Sequence, residues 1–208
     1  MSKLSIIVAA VGLMFATSAS AAVHTYEFGG AVINGTGITP ASNFASLTID
    51  DTSNLFTLTL GNLVALGFGP NANATDLAVS YSGAIPAVSG VSGGVPTIGT
   101  QNANQPAGAF NFGFSFDSVG NELTSGESVS WTATPFNFGQ VTTTTPAPAL
   151  DNFVGSFALR IQGAGQGNAG NGWYGAAAAV PEPETYAMML AGLGLIGFVA
   201  RRRKNEKT

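Results

Sequence analysis

The feature that most constrains this chain is a hydrophobic period of two residues. Phe110, Phe112, Phe114 and Phe116 alternate with Asn111, Gly113 and Ser115. Val129, Trp131 and Ala133 alternate with Ser128, Ser130 and Thr132, and Phe157, Leu159 and Ile161 alternate with Ala158, Arg160 and Gln162. Phe56, Leu58 and Leu60 share one phase, Thr57 and Thr59 the other. A period of two sends successive side chains to opposite faces, so each run reads as a strand with one apolar face on a core. Residues 24–29, 43–49 and 76–82 supply further strands, and Asp50-Asp51-Thr52-Ser53-Asn54 reads as a hairpin turn between two of them. Leu63 to Phe68 reads as a strand end or an inner loop. Many short strands with Gly and Pro punctuation predict an all-β fold, an antiparallel β-sandwich of jelly-roll type.

The remaining internal segments lack a period. Residues 84–109 form a low-complexity insert with room for a short strand at Val95–Ile98. Gln140–Leu150 contains Thr142–Thr145 and two prolines, which suits a stiff connector. Gly163–Gly172 is rich in Gly, Asn and Gln. The domain is therefore read as 22–162, with 175 as the alternative end, and 163–179 as a Gly/Ala-rich stalk.

Both ends carry addresses. Lys3 precedes an apolar run from Leu4 to Ala16, and Thr17-Ser18-Ala19-Ser20-Ala21 follows. A basic start, a short apolar helix and small residues at Ala19 and Ala21 define a signal peptide over 1–21. Signal peptidase is expected to cut after Ala21, with Ala22 as the alternative. At the other end, Tyr186–Ala200 carries no charged group and Arg201-Arg202-Arg203-Lys204 follows at once. As a helix that run rises about 22 Å against a hydrocarbon core of about 30 Å. The arginine stems extend it by snorkelling, and Tyr186 suits the opposite interface. A transmembrane helix over 186–200, with its basic flank held in the cytoplasm, is expected. Ahead of it, Pro181 and Pro183 fix their own φ and push Val180 and Glu182 extended, leaving a non-helical strip centred on Glu182.

Val180–Lys204 resembles a PEP-CTERM sorting domain. VPEPET, the Gly-rich apolar run with Ala191-Gly192-Leu193-Gly194, and RRRK stand in the family's order. The resemblance implies that an exosortase, an integral membrane cysteine transpeptidase, recognises Val180, Pro181, Glu182 and Pro183 and cleaves near them. It also implies a Gram-negative host that makes exopolysaccharide. The precursor would be anchored briefly in the inner membrane by Tyr186, Arg201, Arg202, Arg203 and Lys204, then pass to the cell surface or the extracellular matrix.

Composition removes several classes of function. The chain has no cysteine, so disulfides, thiol catalysis and thiolate metal sites are excluded. Between the two signals Arg160 is the one Lys or Arg against eight carboxylates, a net charge of −7. A basic groove cannot be built from that, which excludes nucleic acid as a partner.

The candidate chemistry is sparse. His24 is the sole histidine and is expected at a frayed terminus, a poor place for a triad or a zinc ligand. Asp50, Asp51, Asp117, Glu122, Glu127 and Asp151 offer carboxylates for a glycosidase pair, but all fall at turns or strand ends, where such residues cap backbone donors. Asp117, Asn121 and Glu122 gather three oxygen ligands around Gly120, a weak calcium candidate without the spacing of an EF-hand. Trp131 shares the phase of Val129 and Ala133 and reads as core. Trp173-Tyr174 lies among glycines, where it is either a sugar-stacking platform or a last strand with one ring inward. The expectation is a non-enzymatic surface or matrix protein without a cofactor. A carbohydrate-binding or adhesive module for matrix exopolysaccharide is the rival, and a surface hydrolase the more distant one.

Overall fold

Strands occupy nearly every stretch in which the period of two persists. The computed structural model describes residues 23–95, 97–101, 110–116, 122–144, 155–165, 167, 169–176 and 192–193. The strands are β1 (Val23–Gly35), β2 (Ala45–Asp50), β3 (Leu55–Leu60), β4 (Asn73–Val79), β5 (Ala87–Gly93) and β6 (Gly99–Gln101). They continue with β7 (Phe112–Ser115), β8 (Leu123–Thr124), β9 (Ser128–Thr134), β10 (Phe157–Gln162) and β11 (Asn171–Ala176). Every pairing between them is antiparallel.

The hydrogen-bonded order is β5-β9-β3-β2-β1-β11-β10-β4-β7-β6, with β8 added to β4. This is one curled, nearly barrel-shaped sheet. The two stacked sheets of the expected sandwich are not separated in its ladder. Its two edges, β5 and β6, follow one another in the chain, so residues 94–98 cross the seam. Val95 and Ile98, expected as a short strand, are instead buried side chains of that crossing. The strands around them, β5 and β6, lie in the segment that composition marks as an unstructured insert.

Turn chemistry fixes the registers. Asp50 Oδ1 accepts from the backbone N–H of Thr52 at 2.9 Å and of Ser53 at 3.3 Å, closing the β2–β3 hairpin as an Asx turn. Asn54 takes a positive φ of 54° there, which Asn tolerates well. At Gly93, φ is +114° and a Cβ would collide with the Ser128 carbonyl, so only glycine lets β5 lie against β9. Leu63 to Phe68 resolves into a 3₁₀ turn, Val64–Leu66, with Leu63 and Phe68 buried on either side.

The interior is filled by aromatic rings. Phe56 stacks on Trp131 at 5.4 Å, and Phe114 and Phe116 meet the same indole edge-on at 5.0 and 5.6 Å. Phe44 and Phe68 meet Tyr174 edge-on at 4.8 and 5.6 Å. Each fully buried ring of this kind contributes about 1.5–3 kcal/mol, and no disulfide supplements them. Phe112, Phe114 and Phe116 point into this core, but Phe110 leaves their phase. The Asn111 amide pairs with both the N–H and the C=O of Tyr81, in place of a strand-to-strand bond. Phe110 then joins Ile33, Ala78, Ala158 and Trp173 in a small outer cluster.

The strands run past 162, the first of the two expected domain ends, as far as Ala176. β11 pairs with β1 on one side and β10 on the other, so residues 171–176 are a central strand. Gly163 and Ala164 are also tied in, through hydrogen bonds to the Gly170 carbonyl. Glycine-rich composition left this strand one of two readings because two-sided burial leaves little alternation to see.

Candidate functional site

Trp173 and Tyr174 are neighbours on β11 and therefore face opposite sides of the sheet. Tyr174 is fully buried in the interior, where its hydroxyl donates to the Ile38 carbonyl at 2.9 Å. Trp173 is only 6% exposed, within the outer cluster. Of the two readings of this pair, β11 forms the last strand with one ring inward; a sugar-stacking platform would need an open ring face, which neither ring offers. Gly35 explains part of the close fit: its φ is +91°, and a Cβ there would strike the Asn171 carbonyl across the β1–β11 pair.

His24 is not frayed. It pairs with Ile49 within the β1–β2 ladder, and its ring stacks on Phe138 with centroids 3.6 Å apart and planes 7° apart. Its Nε2 lies 3.6 Å from Asp51 Oδ2, an ion-pair distance once the ring is protonated, but too long for a hydrogen bond. His24, Asp51, Phe136, Asn137, Phe138 and Gly139 line a cleft of about 480 Å³. Asn137 holds its rim: its Oδ1 accepts from Gly139 N–H at 2.9 Å, and its own N–H donates to the Tyr81 hydroxyl at 3.0 Å. Among the described residues that line the cleft there is no serine, threonine or cysteine.

Two of the candidate carboxylates serve the backbone. Asp50 closes the hairpin, and Glu127 Oε2 accepts from Thr124 N–H at 2.8 Å in the β8–β9 turn. Asp117, Asn121 and Asp151 lie outside the described residues. Among the described residues no three of His, Asp and Glu group closely enough to hold a metal ion. Two acids, Glu27 and Asp76, stand outside the six candidates, and the second is buried. Asp76 on β4 is 7% exposed, accepts from Thr75 Oγ1 at 2.8 Å and pairs with Arg160 Nη1 at 3.2 Å. Its place at the head of the apolar run Leu77-Ala78-Val79 was the available signal.

The signals at the two ends fall almost wholly outside this geometry. Ala19, Ala21, Val180, Pro181, Glu182, Pro183, Tyr186, Arg201, Arg202, Arg203 and Lys204 all lie outside the described residues. Among the described residues no helix is long and apolar enough to cross a membrane. No curated protein and no solved structure matches the chain. Residues 179–204, starting three positions after the last residue of β11, match the PEP-CTERM protein-sorting motif, which marks an exported, cell-surface-directed protein processed by an exosortase.

Proposed function

We propose that this protein is a non-enzymatic component of the cell surface or extracellular matrix of an exopolysaccharide-producing Gram-negative bacterium. The sorting motif at residues 179–204 carries the reading. A signal peptide over 1–21 exports the chain, and Tyr186–Ala200 anchors the precursor in the inner membrane with Arg201–Lys204 on the cytoplasmic side. The exosortase then cuts near Pro181–Pro183 and removes the anchor. An interior filled with phenylalanine, tryptophan and tyrosine supports a structural or binding role for the domain rather than turnover of a buried substrate.

Intact-mass analysis of protein recovered from extracellular material tests this reading. The expected species starts at Ala22 or Val23 and lacks Arg201–Lys204. A mass that retains the RRRK tail in cells with an active exosortase sinks it.

A further inference from the structure

The outward side chains of five adjacent strands form a registered row of hydroxyls. Thr25 lies opposite Thr48, Thr48 opposite Thr57, Thr57 opposite Ser130, and Ser130 opposite Ser92. Two residues along, Ser46, Thr59 and Ser128 form a second row that ends at Glu27. Neighbouring strands stand about 4.8 Å apart and every second residue repeats at about 6.8 Å, so the first row runs about 19 Å. The rows face outward because Tyr26, Leu47, Leu58 and Val129, the residues between them, are buried in the interior.

The oxygens are held in position. Thr57 Oγ1 and Ser130 Oγ are 2.8 Å apart, and Thr59 Oγ1 and Ser128 Oγ are 3.0 Å apart. A hydroxyl has one donor and two acceptor sites, so each paired group keeps capacity toward solvent. No Lys or Arg occurs on these five strands. Glu27 and Asp50 stand only at the margins of the rows. The opposite side of the barrel differs in kind, with the Asp76–Arg160 pair and the cluster around Trp173 on β4, β10 and β11.

We infer that this hydroxyl-lined face, on β1, β2, β3, β9 and β5, binds an extended neutral polysaccharide. The inference rests on the matrix role proposed above and names its ligand class. A neutral sugar chain presents hydroxyls that both donate and accept, which is what the rows present in return. A uronate-bearing polymer would instead bring anions to a domain of net charge −7 on a face without a cation. Oxygens already fixed by the sheet lose little freedom on binding.

The test uses the processed protein recovered from extracellular material, in native gels containing hydroxyethylcellulose, glucomannan or dextran, with alginate as the anionic comparison. At least one neutral polymer should retard the protein and alginate should not. The triple variant Thr48→Val, Thr57→Val, Ser130→Ala keeps side-chain shape and removes both partners of the Thr57–Ser130 bond, which is close to neutral for folding. It should weaken retardation about tenfold or more while melting as the parent does. A triple variant that melts lower is replaced by Thr48→Val alone, which should still weaken retardation measurably. Correctly processed protein that no neutral polymer retards overturns this inference and leaves the sorting reading standing, as does a folded variant retarded like the parent. Retention of RRRK in the same sample defeats the sorting reading instead.

Discussion

Phe28, on the first strand, lies directly opposite Ala176, on the last. β1 and β11 are antiparallel, so the chain enters the barrel and leaves it at one pole. Val23 opens β1 at that pole, and the sorting motif starts three positions after Ala176. On the sorting route proposed above, both chain ends would then approach one bilayer from the same pole of the barrel.

That arrangement makes tether length matter. The five residues from Ala176 to Pro181 reach at most about 18 Å. Deleting Ala177–Ala179 should bring the barrel against the membrane and slow removal of the tail. A six-residue Gly/Ser insertion after Ala176 should restore it. Glu182→Ala with Pro183→Ala should leave the precursor in the inner membrane at any tether length. Immunoblots of fractionated cells read all three, and equal processing of the deletion would contradict the close tether.

Truncation should separate the aromatic residues by place, not by type. Trp131→Ala and Phe114→Ala each empty the interior and should cost about 3–5 kcal/mol. Trp173→Ala should also be costly, about 3 kcal/mol, because the ring is packed and not exposed. Tyr174→Phe removes only the bond to the Ile38 carbonyl and should cost about 1–3 kcal/mol. Urea titrations of the processed protein give these values. A Trp173→Ala variant as stable as the parent would return that ring to the surface.

The Asp76–Arg160 pair joins β4 to β10 on the outer face. Arg160 is 37% exposed on its side chain, so the pair is partly solvated. Arg160→Met should cost about 1.5–3 kcal/mol, as expected for losing a charge-assisted bond to a buried carboxylate. Adding Asp76→Leu to it should recover most of the loss, since no buried charge then remains. Melting temperatures of the single and double variants decide between them, and a further loss in the double variant would count against this account.

Alkaline pH should destabilise the protein through its buried phenols. Burial pushes the Tyr26 phenol up to about 12 and raises Tyr174 in the same direction. The unfolded chain loses these protons near pH 10, whereas the folded chain keeps them. Their contribution is therefore complete below about pH 10 and is lost as pH rises towards 12. At the acid end, hydrogen bonds from Ser53 and Thr52 hold the Asp50 carboxyl below its usual range. Its contribution is present at neutral pH and disappears as pH falls through that lowered value. Thermal melts should be level up to about pH 10 and decline from there to about pH 12, and a flat profile over the whole range would argue against buried phenols.

Much of the sheet was legible because one-sided burial writes itself into the chain. Phe56-Thr57-Leu58-Thr59-Leu60 and Ser128-Val129-Ser130-Trp131 expose one phase and bury the other, so a strand could be read from either. β11 was not legible in the same way, since Trp173 and Tyr174 are both buried, on opposite faces, among glycines. β5 was missed for the opposite reason: its Ala-Val-Ser-Gly-Val-Ser-Gly run is mostly exposed and has little apolar content. His24 seemed terminal in sequence, but the β2 ladder and Phe138 hold it in place.

By itself the sequence determined the destination and the fold class. A sorting address is read by enzymes as a linear string, and a period of two is a local property of the backbone. Tertiary structure alone decided the strand order, the burial of Trp173 and Tyr174, and the meeting of Asp76 with Arg160. It also aligned Thr25, Thr48, Thr57, Ser130 and Ser92 into one row. Those relations join residues dozens of positions apart, and no local preference encodes which strand lies beside which. Register does, and register is fixed only when the apolar faces of all strands close on a common core.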